Sequence, residues 1–178
     1  MLPLSSPTQF FLLFLPLSPS THRFFNPQGF LTAVQQEITR AHKAEKEAWA
    51  LDSVVLHSDV TDLMNAETVK SGPKEGVYIH GLFLDGAAWS NARTLVESAP
   101  KKLFAALPVV LVTAVTKTNK KTLLQSSDYG PFGGFECPVY KYPQRTDRYI
   151  IFSVTLPTQD LKPIHWTLRG VALLCSTA

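Results

Sequence analysis

The side chains able to do chemistry in this protein are few: His57, His80, His165, Cys137, Cys175, Asp59, Asp62 and Asp85. Cys137, His165 and Asp85 are the residue types of a thiol nucleophile, its base and an orienting carboxylate, although sequence spacing does not test whether they meet. The competing reading is favoured: a lone cysteine beside strand hydrophobes is a small buried apolar group. Cys137 and Cys175 could instead face each other on adjacent strands as a disulfide, which needs an oxidising compartment. Two cysteines outside any Cys-x-x-Cys spacing make no framework and fit a reducing compartment. His57 and His80 lie in strand-like stretches, where a hydrogen-bonded structural imidazole is favoured over a metal ligand. The sequence contains no Gly-x-x-x-x-Gly-Lys-[Ser/Thr] loop, no Gly-x-Ser-x-Gly elbow, no His-Glu-x-x-His pair and no calcium loop. ATP hydrolysis is therefore not assigned to it, and neither a metal nor a cofactor is expected.

With 178 residues the protein has the length of one domain with a sizeable core. Its net charge of +3 comes from scattered Lys and Arg, without a basic run to track a phosphate backbone or hold a membrane surface. No nucleic-acid or membrane partner is expected. Phe10–Leu15 is an apolar run among Pro3, Pro7, Pro16 and Pro19 that superficially resembles a secretory leader. It is too short to span a bilayer, no Lys or Arg precedes it, and Leu17-Ser18-Pro19-Ser20-Thr21 forms no clean small-x-small cleavage site. Residues 1–23 are read as a disordered or spurious apolar, Pro-rich extension.

The remaining residues read as α+β: a leading amphipathic helix, then a mostly antiparallel, barrel-like sheet of about six or seven strands. Asn26-Pro27 is a helix start, since Asn can accept the free N–H groups of the first turn and Pro loses nothing at the first helical position. Leu31, Val34, Ile38 and Ala41 then form one stripe, opposite Gln35, Gln36, Thr39, Arg40 and Lys43. Alternating charges at Lys43, Glu45, Lys46 and Glu47 carry the helix to about residue 47. Over 52–175 the predicted strands are Ser53–His57, Val77–Leu84, a short one at Leu95–Glu97, Val109–Val115, Pro138–Tyr142, Tyr149–Leu156 and Trp166–Cys175. Gly81, Gly86 and Gly170 suit bulges or corners. Lys117–Gly134 is polar and then Gly-rich, and reads as a long, mobile surface loop. Trp89 and Trp166 are expected at the sheet margin with their indole N–H groups bonded. Arg169 interrupts an apolar run, so it must point outward, snorkel or pair with a carboxylate, an interface ion pair being preferred.

Five collinear blocks carry a family resemblance: Phe24-Phe25-Asn26-Pro27-Gln28-Gly29-Phe30-Leu31-Thr32-Ala33, Asp59-Val60-Thr61, Gly76 to Trp89, Cys137-Pro138-Val139-Tyr140-Lys141 and His165 to Cys175. Together they resemble the C-terminal domain of dynein heavy chains over about Phe24 to Cys175. The Arg145-Thr146-Asp147 turn looks closer to axonemal than to cytoplasmic heavy chains. The resemblance implies a domain over 24–178 with no catalytic role, a helical part followed by a barrel-like sheet. It also implies packing on the ATPase ring of a minus-end-directed microtubule motor, in the cytoplasm, cytoskeleton and ciliary axoneme. Intermediate and light intermediate chains would then be partners only through the parent complex, and the microtubule only indirectly. Trp89, Arg93, Trp166 and Arg169 become the candidate protein-interface residues.

The sequence departs from the family pattern at Ser90-Asn91-Ala92-Arg93, where an acidic residue and paired arginines are usual, and at a small insertion over Ala44–Ala48. As a domain cut from a larger assembly, it should expose apolar surface. The competing class is a small secreted β-barrel binding an apolar ligand, which requires an empty interior.

Overall fold

The computed structural model describes residues 26–43 and 49–175. The leading helix α1 (Pro27–Lys43) starts as expected: Asn26 Oδ1 accepts from the Gly29 N–H at 2.8 Å, and Pro27 occupies the first helical position. Arg40 and Lys43 in the last turn complement the helix dipole. Leu31 and Ile38 are buried against the sheet with Val34 packed beside them, while Ala41 is exposed. Thr39, expected on the polar face, is buried; its hydroxyl donates to the Gln35 carbonyl at 2.7 Å. Gln35 in turn donates its amide to the Val54 carbonyl at 2.8 Å, which fastens the helix to the first strand. The expected continuation to residue 47 lies outside the described residues.

The strands follow as β1 (Val54–Val60), β2 (Val77–Ile79), β3 (Phe83–Asp85), β4 (Ala88–Trp89), β5 (Leu95–Val96), β6 (Phe104–Ala106), β7 (Val110–Thr116), β8 (Phe135–Tyr140), β9 (Ile150–Leu156) and β10 (Ala172–Leu174). Helix α2 (Lys117–Leu124) lies between β7 and β8, and α3 (Pro163–Leu168) between β9 and β10. Three sheets result, ordered β1-β7-β2, β6-β3-β10-β8-β9 and β4-β5. All pairs are antiparallel except β10 with β8. Along β7 the side chains alternate, with Val110, Val112, Ala114 and Thr116 buried and those between them half-exposed, as one-sided burial of a pleated strand requires.

The first two sheets are two parts of one bent ribbon. Val77–Leu84, expected as a single strand, is broken at His80-Gly81-Leu82, where Gly81 takes a φ of +79°. Val77 faces Val112 on one side of the bend and Phe83 faces Ala106 on the other, with Leu107 N–H donating to the Leu82 carbonyl at 2.9 Å between them. The ribbon thus leads from one sheet to the next. At the other end β1 lies beside β9 without a ladder, so the barrel-like sheet does not close.

Across that seam the Ser58 hydroxyl donates to the Ser153 carbonyl at 3.3 Å and accepts from the Thr155 N–H at 3.4 Å. Ser58 and Thr155 are both buried. Ser58→Ala therefore leaves the Thr155 N–H without this acceptor, and should lower the urea midpoint by an amount equivalent to about 1–2 kcal/mol at unchanged slope.

Two further expectations are corrected. Trp166–Cys175 is not one strand: Pro163 opens a helix, Gly170 ends its turn at a φ of +66°, and only Ala172–Leu174 joins the sheet. Lys117–Gly134 is not simply a loop. Its first part is α2, capped where the Thr116 hydroxyl accepts from the Asn119 N–H at 3.3 Å, and Ser127–Tyr129 forms a 3-10 turn. The core between the sheets is filled by side chains, with Leu84, Val110, Val112, Cys137, Val139, Val154, Leu156 and Leu173 fully excluded from solvent.

Candidate protein-interaction surface

The residues that could have formed a thiol site are each committed elsewhere. Cys137 is completely buried on β8, and burial pushes its thiol far above the usual range despite the opposing Arg145 charge. Cys175 is half-buried, and burial raises its thiol to about 11. Both cysteines are free. A thiol that stays protonated is a poor nucleophile. Asp85 instead forms an ion pair with Arg145, which also donates to the Gly170 carbonyl. His165 bonds Glu97 at 3.2 Å. Cys137 thus serves the core, Asp85 a loop clamp and His165 a surface pair.

His57 is buried on β1, with Nε2 3.3 Å from the Tyr129 hydroxyl; its other ring nitrogen has no partner among the described residues. Burial lowers its pKa from 6.5; Asp59 opposes the shift and Lys120 adds to it. Burial lowers His80 likewise. The unfolded state therefore takes up protons near pH 6.5 that the fold resists, so stability falls as pH drops below about 7, until the native imidazoles protonate as well. Urea midpoints at about pH 7.5 and about pH 5.5 should show this loss, and His57→Gln should shrink it while His80 retains its share.

The four interface candidates fall in different environments. Trp89 is half-buried on β4 and packs against the core. Arg93 takes a φ of +59° in the turn of the β4-β5 hairpin, donates to the Val60 carbonyl at 2.6 Å and approaches Asp62 at 3.3 Å. Arg169 follows α3 and pairs with Glu97 at 3.3 Å, so it does meet a carboxylate, but one within the same molecule. Trp166 is only 1% exposed, and its indole N–H has no acceptor among the described residues. It faces the core because α3 turns it inward, so in the free protein it offers nothing to a partner.

Glu97 has no distinguishing signal in the sequence. It is the hub joining the β4-β5 hairpin to α3 through His165 and Arg169. Equally absent from the sequence reading is an apolar trio on the outside of α3 and its lead-in: Leu161, Ile164 and Leu168 are 40%, 57% and 81% exposed. Their i, i+3, i+7 spacing is the signal that could have found them.

Two concavities among the described residues do not suit a buried small ligand. A cavity of about 60 Å³ between α1 and the sheet, lined by Phe30, Leu31, Val77, Ile79, Leu82 and Phe152, is far below the roughly 300 Å³ of an ordinary ligand pocket. The other, of about 870 Å³, is an open groove between α2 and the Gly130–Gly133 segment. The filled interior removes the basis for the apolar-ligand barrel. Among the described residues no helix is long and apolar enough to cross a membrane.

The fold is a helix-led, open barrel-like α+β unit in which Cys137, Asp85 and His165 are held apart by different partners. Residues 18–175 match the family model of the C-terminal domain of the dynein heavy chain, and the protein belongs to that family. It is 50% identical over 153 residues to dynein axonemal heavy chain 8 of Homo sapiens, an alignment covering 85% of this chain and 3% of that one. Identity to dynein axonemal heavy chain 5 of Mus musculus is 47% over 153 residues, with the same shares of 85% and 3%. For the dynein gamma chain, flagellar outer arm, of Chlamydomonas reinhardtii it is 41% over 155 residues, or 86% of this chain and 3% of that one. The protein thus spans about 3% of the length of these curated relatives, which are axonemal or flagellar heavy chains, in keeping with the Arg145-Thr146-Asp147 turn.

Proposed function

We propose that this protein acts as the non-catalytic structural and regulatory C-terminal domain of an axonemal dynein heavy chain, packing on the ATPase ring of a minus-end-directed microtubule motor in the ciliary axoneme. The observation that carries the reading is the family match over 18–175, reinforced by half-identity to an axonemal heavy chain along nearly the whole described fold. The thiols support it, since burial, complete at Cys137 and partial at Cys175, raises both above the usual range. The domain contributes contact surface, with Trp89, Arg93 and Arg169 on or near the β4-β5 hairpin and α3 as its polar and aromatic edge. Intermediate chains, light intermediate chains and the microtubule are then reached only through the parent complex.

The transcript provides the test. Full-length cDNA should join the Phe24 codon in frame to sequence encoding an ATPase ring. A messenger that starts at Met1, with no such exon upstream in any transcript, would remove the motor-domain reading.

A further inference from the structure

Leu168 is the most exposed of the large apolar side chains on the described surface, and it does not stand alone. Ile164 and Leu168 are four residues apart on α3 and share one face of that helix, with Leu161 in the turn leading into it. The opposite face of the same short helix seats Trp166 in the core. Exposed Lys162 and Arg169 flank the trio, and Glu97, the partner of both His165 and Arg169, fixes how α3 sits against the β4-β5 hairpin. Apolar residues held outward on an anchored helix, with charges at the margin, have the anatomy of an interface centre.

We infer that the Leu161, Ile164 and Leu168 face of α3 docks against an apolar surface of the same heavy-chain polypeptide, and so is the contact through which the domain sits on its ring. The inference rests on the packing role proposed above and adds which face makes the contact. Size decides the occupant. Three side chains on a helix of under two turns cover far less than the roughly 800 Å² per partner of a stable complex between free molecules. A second copy of this protein is therefore poorly suited. A tethered partner needs no such area, because covalent linkage holds it at high effective concentration. The heavy chains of this family supply that tether, since the matched region is 3% of their length.

The test is hydroxyl-radical footprinting of Leu161, Ile164 and Leu168 in the 178-residue protein and in a complete heavy chain that includes it. The expected result is strong labelling of all three in the short protein and a several-fold reduction in the heavy chain. Ile164→Asp with Leu168→Asp should restore labelling at Leu161, whereas Leu123→Asp on α2 should not. Circular dichroism of the short protein bearing the same pair of substitutions checks that the fold persists; Leu168→Gln alone is the milder variant if it does not.

If protection falls on the hairpin or the α2 groove while α3 stays labelled, the inference fails but ring packing survives. If no surface of the domain is protected, both fail. Protection already present in the short protein would overturn the inference in either of two ways. It would reveal a second copy if it vanished on dilution, or residues 1–23 as the occupant if it vanished on their deletion.

Discussion

Replacing Trp166 by alanine should lower the stability of the 178-residue protein by about 3–5 kcal/mol, the cost of emptying a large aromatic site in a packed core. The ring is 1% exposed and belongs to the same buried cluster as Val139, Val171 and Leu173. Helix α3 packs on β8, so a cavity beneath it loosens the hold of the helix on the sheet as well as removing apolar contact. Trp166→Phe should cost clearly less. It keeps most of the ring and removes a buried N–H that has no acceptor among the described residues, so part of the lost volume is offset by a lost penalty. An interface tryptophan would behave differently, because truncating an exposed side chain usually moves the stability of a free protein by no more than about 0.5 kcal/mol. Urea unfolding of the three proteins separates the cases. An unchanged midpoint for Trp166→Ala would mean that the indole is not in the core.

Gly130→Ala should be nearly as damaging, by roughly 2–4 kcal/mol, and for a backbone reason. Gly130 has a φ of +78°, and a Cβ there would lie 1.9 Å from the Thr158 carbonyl oxygen. The added carbon and that oxygen are both fixed by main chain, so neither can rotate away. Relief requires the Ser126–Gly134 segment to lift from the end of β9, which would also break the Thr158 N–H to Tyr129 carbonyl bond and unseat Tyr129 from His57. Gly133→Ala provides the control. Its φ is +75°, and an added Cβ would meet the Leu124 carbonyl oxygen at 3.2 Å, a tight contact relieved by a shift of a few tenths of an ångström, so it should cost the left-handed strain of about 1–2 kcal/mol and little more. Hydrogen exchange should then show the Tyr129 and Gly130 amides opened much further in Gly130→Ala than in Gly133→Ala.

Much of the architecture is legible from residue pattern, and the losses have physical causes. The α1 start can be read because Asn26 and Pro27 act locally, through a side-chain acceptor and a missing donor. β7 and β9 can be read because each is seven residues long and dominated by β-branched, aliphatic or aromatic side chains, which leaves little alternative. The final block reads wrongly as one strand because six helical residues are too few to display a 3.6-residue period, and Trp166, Leu168 and the Val171–Leu174 run merge into one apolar stretch. Helix α2 escapes notice for the opposite reason. It buries none of its residues, so its stability comes from the Thr116 cap and from contacts such as the Lys120 ammonium donating to the Leu56 carbonyl at 3.1 Å, which leave no hydrophobic stripe.

The surface is less legible than the fold. Trp166 and Arg169 are neighbours in sequence, yet α3 sends the first inward and leaves the second at the rim. Glu97 gives no local signal, because its role depends on two partners about seventy residues away.

The role proposed for this protein is contact within a motor rather than chemistry of its own. ATP turnover and microtubule gliding velocity of a complete heavy chain, measured with the domain present and with residues 24–178 deleted, test it most directly. ATP turnover should persist without the domain, gliding velocity should change, and the 178-residue protein alone should hydrolyse no ATP. Hydrolysis by the isolated protein, or gliding unaffected by the deletion, would contradict the claim.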